Sequence, residues 1–539
     1  MWPRNWREQL PATLAGDWDI VIIGGGITGA GILLEAAHQG LRALLVEQRD
    51  FAWGTSSRSS KLVHGGLRYL KEGKVLLTRA SVQERKNLLR EAAGLVQPQS
   101  FAFADYRGRK PGRWLFSLGL ALYDWMAGQR SRRYYPADEF LLLAPHIERA
   151  GLKGGMCYGD AKTDDARLVL RVLQEALAAG GVAVNYLAAT QVLRTGGNAD
   201  GVELLDALSG ATYTIKVKVV ISATGAWADA LRQNAADGPK LRPLRGSHLL
   251  LPAWRLPVAQ AVSLMHPRDG RPVFAFPWEG VTLVGTTDVD HGTGMKVEAS
   301  ITPDEVAYLM QALEFQFPEL GLGLDDIIAT FAGVRPVIDS GKADPSKEAR
   351  DHAVWLEHGL LTVTGGKLTT FRLIALDALK HCAPLLPGRH ARLHSSRTFR
   401  QLEPLPANAA LTAAQAQRLQ GRYGMHAAKL LAAAHGDELA TIAGSETLWA
   451  ELRWAARAEA VMHLEDLLLR RTRLGLQLRQ GGAELLPRIR AICQAELGWG
   501  DQRWLAEEAA YLALWRQHYS LPPRETVPDW RAGGAAGPN

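Results

Sequence analysis

The stretch Asp19 to Glu47, DIVIIGGGITGAGILLEAAHQGLRALLVE, limits the folds open to this chain more than any other. Ile20 to Ile23 form a short β-branched run with few polar interruptions, the pattern of a strand buried on both faces. Gly24, Gly26 and Gly29 then give G-x-G-x-x-G. The first glycine permits a tight turn, the second lets backbone approach a pyrophosphate, and the third lets a helix pack on the strand. The helix that follows presents N–H donors and the positive end of its dipole to that pyrophosphate. A second apolar run, Leu41 to Val46, ends in Glu47, about twenty residues on, where a carboxylate can accept from ribose hydroxyls. The glycine motif alone is weak, but the strand before it, the helix after it and the acid at this distance favour a dinucleotide site over a structural turn.

Length sets the scale around that unit. A chain of 539 residues holds two or three domains and a large core. Hydrophobic residues at 47% and charged residues at 22% fit a globular enzyme. Cys157, Cys382 and Cys493 lie far apart and form no C-x-x-C, which favours a reducing compartment and argues against a metal or iron–sulfur site. The first nineteen residues lack the apolar core of a signal peptide, and no stretch reaches about 18 uninterrupted apolar residues. The expected location is therefore cytoplasmic. The net charge of +7 leaves nucleic acid, an anionic membrane or a phosphorylated substrate as partners until its distribution is known.

After Glu47 comes FAWGTSSRSSKLVHGGLRYL, where Thr55, Ser56, Ser57, Ser59, Ser60 and Tyr69 share a loop with Arg58, Lys61, His64 and Arg68. Hydroxyls also gather at helix caps for backbone reasons. Directly beyond a dinucleotide strand, however, they occupy the crevice in which such folds bind ligands. From Gly73 to Glu91 the pattern is helical. Between Tyr106 and Tyr135, Arg107, Arg109, Lys110 and Arg113 precede WLFSLGLALYDWMAG, and Arg130, Arg132 and Arg133 follow it. An apolar helix of about fourteen residues between basic clusters is too short to span a bilayer but could lie in its interface, with Trp114, Tyr123 and Trp125 at headgroup level. The competing reading is a buried core helix. No nucleic-acid motif accompanies the charge, so no nucleic-acid partner is expected.

Asp164 and Asp165 open a strongly periodic helix and are read first as its cap and first-turn acids. A later strand ends in ATG at Ala223 to Gly225 and would bring backbone to the cofactor again. Leu241 to Thr330 reads as a β-rich substrate sheet with a helix at Pro303 to Phe317. A Gly365-Gly366-Lys367 turn then opens another helix and reads as a second anion or carbonyl-oxygen site, with a plain strand-to-helix turn as the alternative. The Pro384 to Pro406 segment marks a boundary. Beyond it lie a helical domain to about Tyr519 and a tail expected to be flexible.

The series DIVIIGGGITGAG, TSSRSSKLVHGGLRYL, TDDARLVL, ATGAWAD, RGSHLLLP, FPWEGVTLVGTTD, AGVRP, TGGKLTTFR and EDLLLRRTRLG resembles the FAD-dependent, quinone-linked glycerol-3-phosphate dehydrogenases. The likeness runs from Asp17 to about Leu514. It implies an α/β, Rossmann-like FAD-binding domain of the glutathione-reductase and amino-acid-oxidase type, a β-rich substrate domain and a C-terminal all-α cap. The corresponding ranges are 17–75, 150–240 and 345–385 for FAD; 76–149 and 241–344 for substrate and membrane; 400–520 for the cap; and 521–539 for the tail. The resemblance implies that Gly24, Gly26, Ile27, Thr28 and Gly29 hold the FAD pyrophosphate and Glu47 the adenosine ribose. It further implies FAD contacts from Thr55, Ser56, Ser57, Ser60, Lys61, Leu62, Val192, Ala223, Thr224, Gly225, Gly365, Gly366, Lys367, Leu368 and Thr369.

Glycerol 3-phosphate would be held by Arg68, Tyr69, Arg335 and Lys367, with guanidinium groups gripping phosphate bidentately. Oxidation at its second carbon sends a hydride to flavin and needs a base for the hydroxyl proton. His64 and His248 are both candidates, and Lys367 could steady negative charge on the reduced ring. The expected setting is the inner face of the cytoplasmic membrane, peripherally bound to anionic lipid, with quinone as electron acceptor; a homodimer stays open. An oxygen-using glycerol-3-phosphate oxidase or amine oxidase of the same superfamily is the alternative.

Overall fold

Ile20, Val21 and Ile22 have no exposed surface, as a strand covered on both faces requires. The computed structural model describes residues 1–66, 75–109, 112–128, 130–232, 240–292, 294–295, 297–339, 341, 348, 351–386 and 397–531. In chain order its strands are β1 (Trp18–Ile23), β2 (Ala43–Val46), β3 (Val96–Tyr106), β4 (Arg133–Pro136), β5 (Leu152–Thr163), β6 (Val182–Val184), β7 (Leu187–Thr195), β8 (Asn198–Asp206) and β9 (Thr212–Ser222). They continue with β10 (Leu241–Pro252), β11 (Ala261–Met265), β12 (Pro272–Trp278), β13 (Val281–Gly285), β14 (Val289–Asp290), β15 (Ala329–Ile338), β16 (His352–Glu357) and β17 (Leu360–Gly365).

One sheet has the order β16–β17–β9–β1–β2–β6. From β17 to β6 its pairs are parallel. Alternation along β1 divides its partners. Ile20 and Ile22 face a core shared with the helices Ile27–His38, Asp165–Ala178 and Phe371–Cys382. Val21 and Ile23 face the β7–β8–β9 meander. This is the α/β FAD-binding architecture expected from the sequence.

The second sheet runs β14–β10–β13–β12–β11–β3–β5–β4, with β15 also on β10. Strand β5 pairs with β3, so residues 152–163 belong to this sheet and the change of sheet falls at Asp164, not at residue 150. Leu249 and Leu251 point to the layer containing the helix Pro303–Gln316. Leu250 and Phe331 point to a core closed by C-terminal residues Leu464, Leu467, Leu468 and Trp504. The C-terminal helices thus form one wall of the substrate sheet.

Buried ion pairs fasten that wall to the first sheet. The segment Asp466–Arg471 is a wide π-turn, and Thr472 N–H donates to Leu467 O at 3.0 Å. It delivers Arg470 and Arg471 to Asp50, with Arg471 bidentate at 2.6 and 2.7 Å. Burial alone would raise the Asp50 pKa, but Arg471 and Arg470 pull it down to about 2. Removing one partner of such a buried pair costs about 3–5 kcal/mol, because the other charge is left without compensation.

Two sequence expectations change. The tail is packed as far as Arg531: Leu521, Val527 and Trp530 rest on the substrate-domain core, and Arg531 donates to Leu322 O at 3.0 Å. Spaced apolar residues anchor it, and only 532–539, outside the described residues, are glycine-rich and polar. Tyr123 does not lie at headgroup level. On the helix Arg113–Ala127 it shares the inner face with Leu120, both with no exposed surface. Its hydroxyl donates to Asp160 and accepts from Arg85 and Gly65 N–H.

Candidate active site

The glycine turn sits where β1 meets the helix Ile27–His38. A Cβ on Gly29 would lie 1.9 Å from Gly24 O, so only glycine lets the helix pack this close. Gly24 N–H donates to Val46 O, and Ala223 N–H donates to Ile23 O, both at 2.8 Å, which puts the ATG strand end beside the turn. Ile27 N–H donates to Ser56 Oγ at 2.9 Å, with Thr28 half-buried next to it. Glu47, half-buried, accepts from Gly25 N–H at 2.7 Å and Arg49 N–H at 2.9 Å. Desolvation raises its pKa, and the two N–H groups pull against that rise.

The hydroxyl loop and the second glycine turn meet at the same crevice. Thr55 Oγ1 donates to Val334 O, which ties the loop to β15. Thr364 Oγ1 donates to Gly225 O at 2.9 Å, joining the ATG turn to the turn at Gly365 and Gly366. Both of those glycines have left-handed φ, +76° and +78°. Leu368–Thr370 is a 3-10 turn, and Thr369 Oγ1 donates to His64 O at 3.2 Å, so half-buried His64 sits at this corner. Leu62 is buried and bridges to Lys162. Val192 lies on β7 opposite Val202, half-buried. Thr224 is half-buried beside Gly225. Arg68 and Tyr69 lie outside the described residues.

On the substrate sheet His248 of β10 stands opposite Phe331 of β15, and the rings stack at 4.5 Å. His248 Nε2 and Ser60 Oγ are 2.9 Å apart, whereas Nδ1, fully buried, has no hydrogen-bond partner among the described residues. Burial, then the charges of Arg335 and Lys61, push its pKa well below 6.5. The imidazole is therefore neutral at pH 7. Arg335 crosses Gly246, where a Cβ would lie 2.3 Å from its Nη2. It donates to Asp288 Oδ1 at 2.9 Å and to Thr286 Oγ1 at 3.0 Å. Lys367 Nζ donates to Ser81 Oγ at 3.3 Å.

Ser57 and Lys61 face inward. The Lys61 side chain is fully buried and donates to Asp165 at 2.8 Å and to Ser57 O at 3.0 Å, so its ammonium is held in a structural ion pair. Burial and Arg473 press its pKa down to about 8 against the pull of Asp165. Three contributors were missed from the sequence: Asp288, which pairs with Arg335; Ser60 as the partner of His248; and Arg473, which reaches Ser57 O from the C-terminal domain. Asp288 was findable, since TTD follows the strand VTLVG directly. Arg473 was not, because no local pattern marks a contact across 416 positions.

Comparison with known proteins agrees with this geometry. Residues 19–372 match the sequence family described as FAD dependent oxidoreductase, the class that fold and site define. Residues 385–504 match the C-terminal domain of alpha-glycerophosphate oxidase. The chain is 38% identical over 394 residues to an aerobic glycerol-3-phosphate dehydrogenase of Staphylococcus epidermidis, covering 72% of this chain and 71% of that one. A Staphylococcus aureus protein of the same name is 38% identical over 379 residues, covering 69% and 68%. Among solved structures, the Bacillus halodurans glycerol-3-phosphate dehydrogenase complexed with FAD matches with a TM-score of 0.75 and 26% identity, covering 96% of this chain and 98% of that one. An L-alpha-glycerophosphate oxidase from Mycoplasma pneumoniae shares the fold, with a TM-score of 0.55 and 19% identity, over 72% and 99%. The chain belongs to the aerobic glycerol-3-phosphate dehydrogenase family of FAD-dependent oxidoreductases.

The residues present fit FAD. The Gly24–Gly29 turn leaves room at a helix N-terminus that a single side chain would fill, Glu47 places a carboxylate at the end of β2, and the turns at Gly225 and Gly365 are joined beside it. Among the described residues there is no cluster of three or more metal-ligating side chains.

Proposed function

We propose that the chain oxidises sn-glycerol 3-phosphate to dihydroxyacetone phosphate and passes the electrons to a membrane quinone. The observation that carries the substrate reading is a neutral, buried histidine and a pinned arginine on adjacent strands, His248 on β10 and Arg335 on β15. The relatives' names point to the same substrate. When bound, FAD supplies the hydride acceptor. The chain supplies the rest: His248 takes the proton from the C2 hydroxyl, while Arg335, Lys367 and Arg68 bind the phosphate. Asp288 keeps the Arg335 guanidinium in place before substrate arrives. His64 is the second candidate for the base.

Anaerobic glycerol 3-phosphate should bleach the absorbance of the purified holoprotein near roughly 450 nm, a general property of oxidised flavins. Absence of bleaching would remove the substrate and leave the cofactor. In Arg335→Ala the same bleaching should need about 10- to 100-fold more substrate, since a charge-assisted hydrogen bond to phosphate contributes about 1.5–3 kcal/mol. Unchanged titration would take Arg335 out of the site.

The quinone reading rests on the helix Arg113–Ala127. Trp114, Leu115, Leu118 and Trp125 are 82, 71, 69 and 75% exposed on one face, and Arg113, Arg130 and Arg133 are exposed around it. Arg132 is held by Asp124 at 2.9 Å and offers less to lipid. Among the described residues no helix is long and apolar enough to cross a membrane. An apolar face with a basic rim suits an interfacial helix in an anionic leaflet, next to a lipid-soluble acceptor. Burying a large apolar side chain contributes about 1.5–3 kcal/mol. Trp114→Glu with Leu118→Glu should therefore weaken sedimentation with anionic vesicles at least about 10-fold. Wild-type binding should also fall with salt. Equal sedimentation of variant and wild type would end the membrane reading, and stoichiometric hydrogen peroxide on turnover would favour oxygen as acceptor.

A further inference from the structure

Ser57 to Lys61 is pinned from the C-terminal side of the molecule. Arg473, on the turn after Asp466–Arg471, has almost no exposed surface. One of its nitrogens, Nη2, donates both to Ser57 O at 2.7 Å and to Asp165 Oδ1 at 3.1 Å. The other, Nη1, donates to Leu469 O at 2.6 Å, which ties the guanidinium to its own domain. Asp165 then distributes the constraint. Its Oδ1 also accepts from Lys61 Nζ at 2.8 Å, and its Oδ2 accepts from Ser59 N–H at 2.9 Å and Ser59 Oγ at 2.7 Å. Lys61 N–H donates in turn to Ser59 Oγ at 3.0 Å. Residues 57, 59 and 61 are thereby fixed, leaving Ser60 between two anchored neighbours with its hydroxyl 2.9 Å from His248 Nε2.

A second contact from the same domain adds to this. Tyr519 OH donates to Glu298 at 2.9 Å, and Glu298 accepts from Arg58 at 2.5 Å. The C-terminal domain therefore holds the hydroxyl loop at Ser57 directly and at Arg58 through Glu298.

We infer that Arg473 is a positioning residue of the C-terminal domain: through Asp165 and the Ser57–Lys61 loop it fixes Ser60, and Ser60 fixes the ring of His248. This rests on the proposed role of His248 as base and extends it. The C-terminal helices are then part of the catalytic apparatus as well as a wall of the substrate core. Stacking on Phe331 sets the plane of the His248 ring, and among the described residues Ser60 is the hydrogen-bond partner that sets where its nitrogens point; displacements of about 1 Å at such positions lower rates by about 100-fold.

The test uses the full-length holoenzyme and two variants, Arg473→Lys and Ser59→Ala. The first keeps the charge but loses the fork that reaches Ser57 and Leu469 together. The second removes the Oγ between Asp165 and Lys61 N–H and leaves every buried charge paired. For both we expect full flavin content, KM for glycerol 3-phosphate within twofold of wild type, and kcat lower by about 10- to 100-fold. Combining either variant with His248→Gln should lower kcat no further than His248→Gln alone, because the loop acts through that ring. Hydrogen exchange on the same holoproteins gives a readout without turnover. Amides of residues 57–61 should exchange at least about 10-fold faster in both variants, with β10 unchanged.

Each failure is distinct. Losses that add to those of His248→Gln, or unchanged kcat and exchange in Ser59→Ala, would overturn the positioning proposal. A His248→Gln enzyme with wild-type kcat would overturn the base assignment beneath it. If Arg473→Lys does not fold, Ser59→Ala alone decides.

Discussion

His248→Gln is expected to lower kcat for glycerol 3-phosphate by about 100- to 10,000-fold with flavin content unchanged, the range for loss of a positioned general base. Glutamine can still reach Ser60 but cannot take a proton. The pH profile supplies a second check. Burial, Arg335 and Lys61 hold the imidazole pKa well below 6.5, so wild-type kcat at saturating substrate should stay flat from pH 8 down past 6.5. A fall in kcat centred near 6.5 would count against His248 as the base. The same depression affects stability with a definite sign. An unfolded histidine binds a proton near pH 6.5 and the buried ring does not, so the contribution is fully present above that pH and is lost as pH falls through and below it. A kcat for His248→Gln within threefold of wild type would return the base role to His64.

The second large effect concerns the cofactor. Gly29→Ala should abolish stable flavin binding, giving a colourless protein with about a tenth or less of the wild-type flavin. Its Cβ would lie 1.9 Å from Gly24 O, a backbone atom that cannot rotate aside. Relief requires the helix Ile27–His38 to back away from β1, which takes its N-terminal N–H groups out of reach of a pyrophosphate. Gly26→Ala is the informative control. There the nearest atom is the Ser56 hydroxyl at 3.0 Å, the end of a side chain that can turn, so a partial loss is expected. Equal flavin retention in the two variants would show that helix closeness does not set affinity.

Period and spacing made β1, β2 and the glycine turn legible, because a strand buried on both faces, a left-handed turn and an acid at fixed distance are all local requirements. The loop from Thr55 to Ser60 was found for the same reason, yet its hydroxyls divide. Ser56 caps the glycine-turn helix and Ser60 faces His248, while Ser57 and Lys61 turn inward. Which way each points depends on Asp165 and Arg473, and sequence shows neither contact. Asp164 and Asp165 were read as helix-start residues. Asp164 does accept from Arg167 N–H at 3.2 Å, but both acids also meet C-terminal arginines. Tyr123 was misplaced because the stretch WLFSLGLALYDWMAG has apolar residues on every face, and only tertiary packing selects the outward one.

Asp50 pairs with Arg470 and Arg471 across 420 and 421 positions. At ribosomal rates of about 5–20 residues per second, roughly 20–80 s separate synthesis of the acid from that of its partners. During that interval Asn185 Nδ2, 2.9 Å from Asp50 Oδ1, is a partner already synthesised, but the carboxylate charge has neither arginine. The hydroxyl loop likewise lacks its Arg473 clasp. Flavin capture is then expected late in synthesis, and a chain truncated before residue 470 should hold less flavin than the full-length protein.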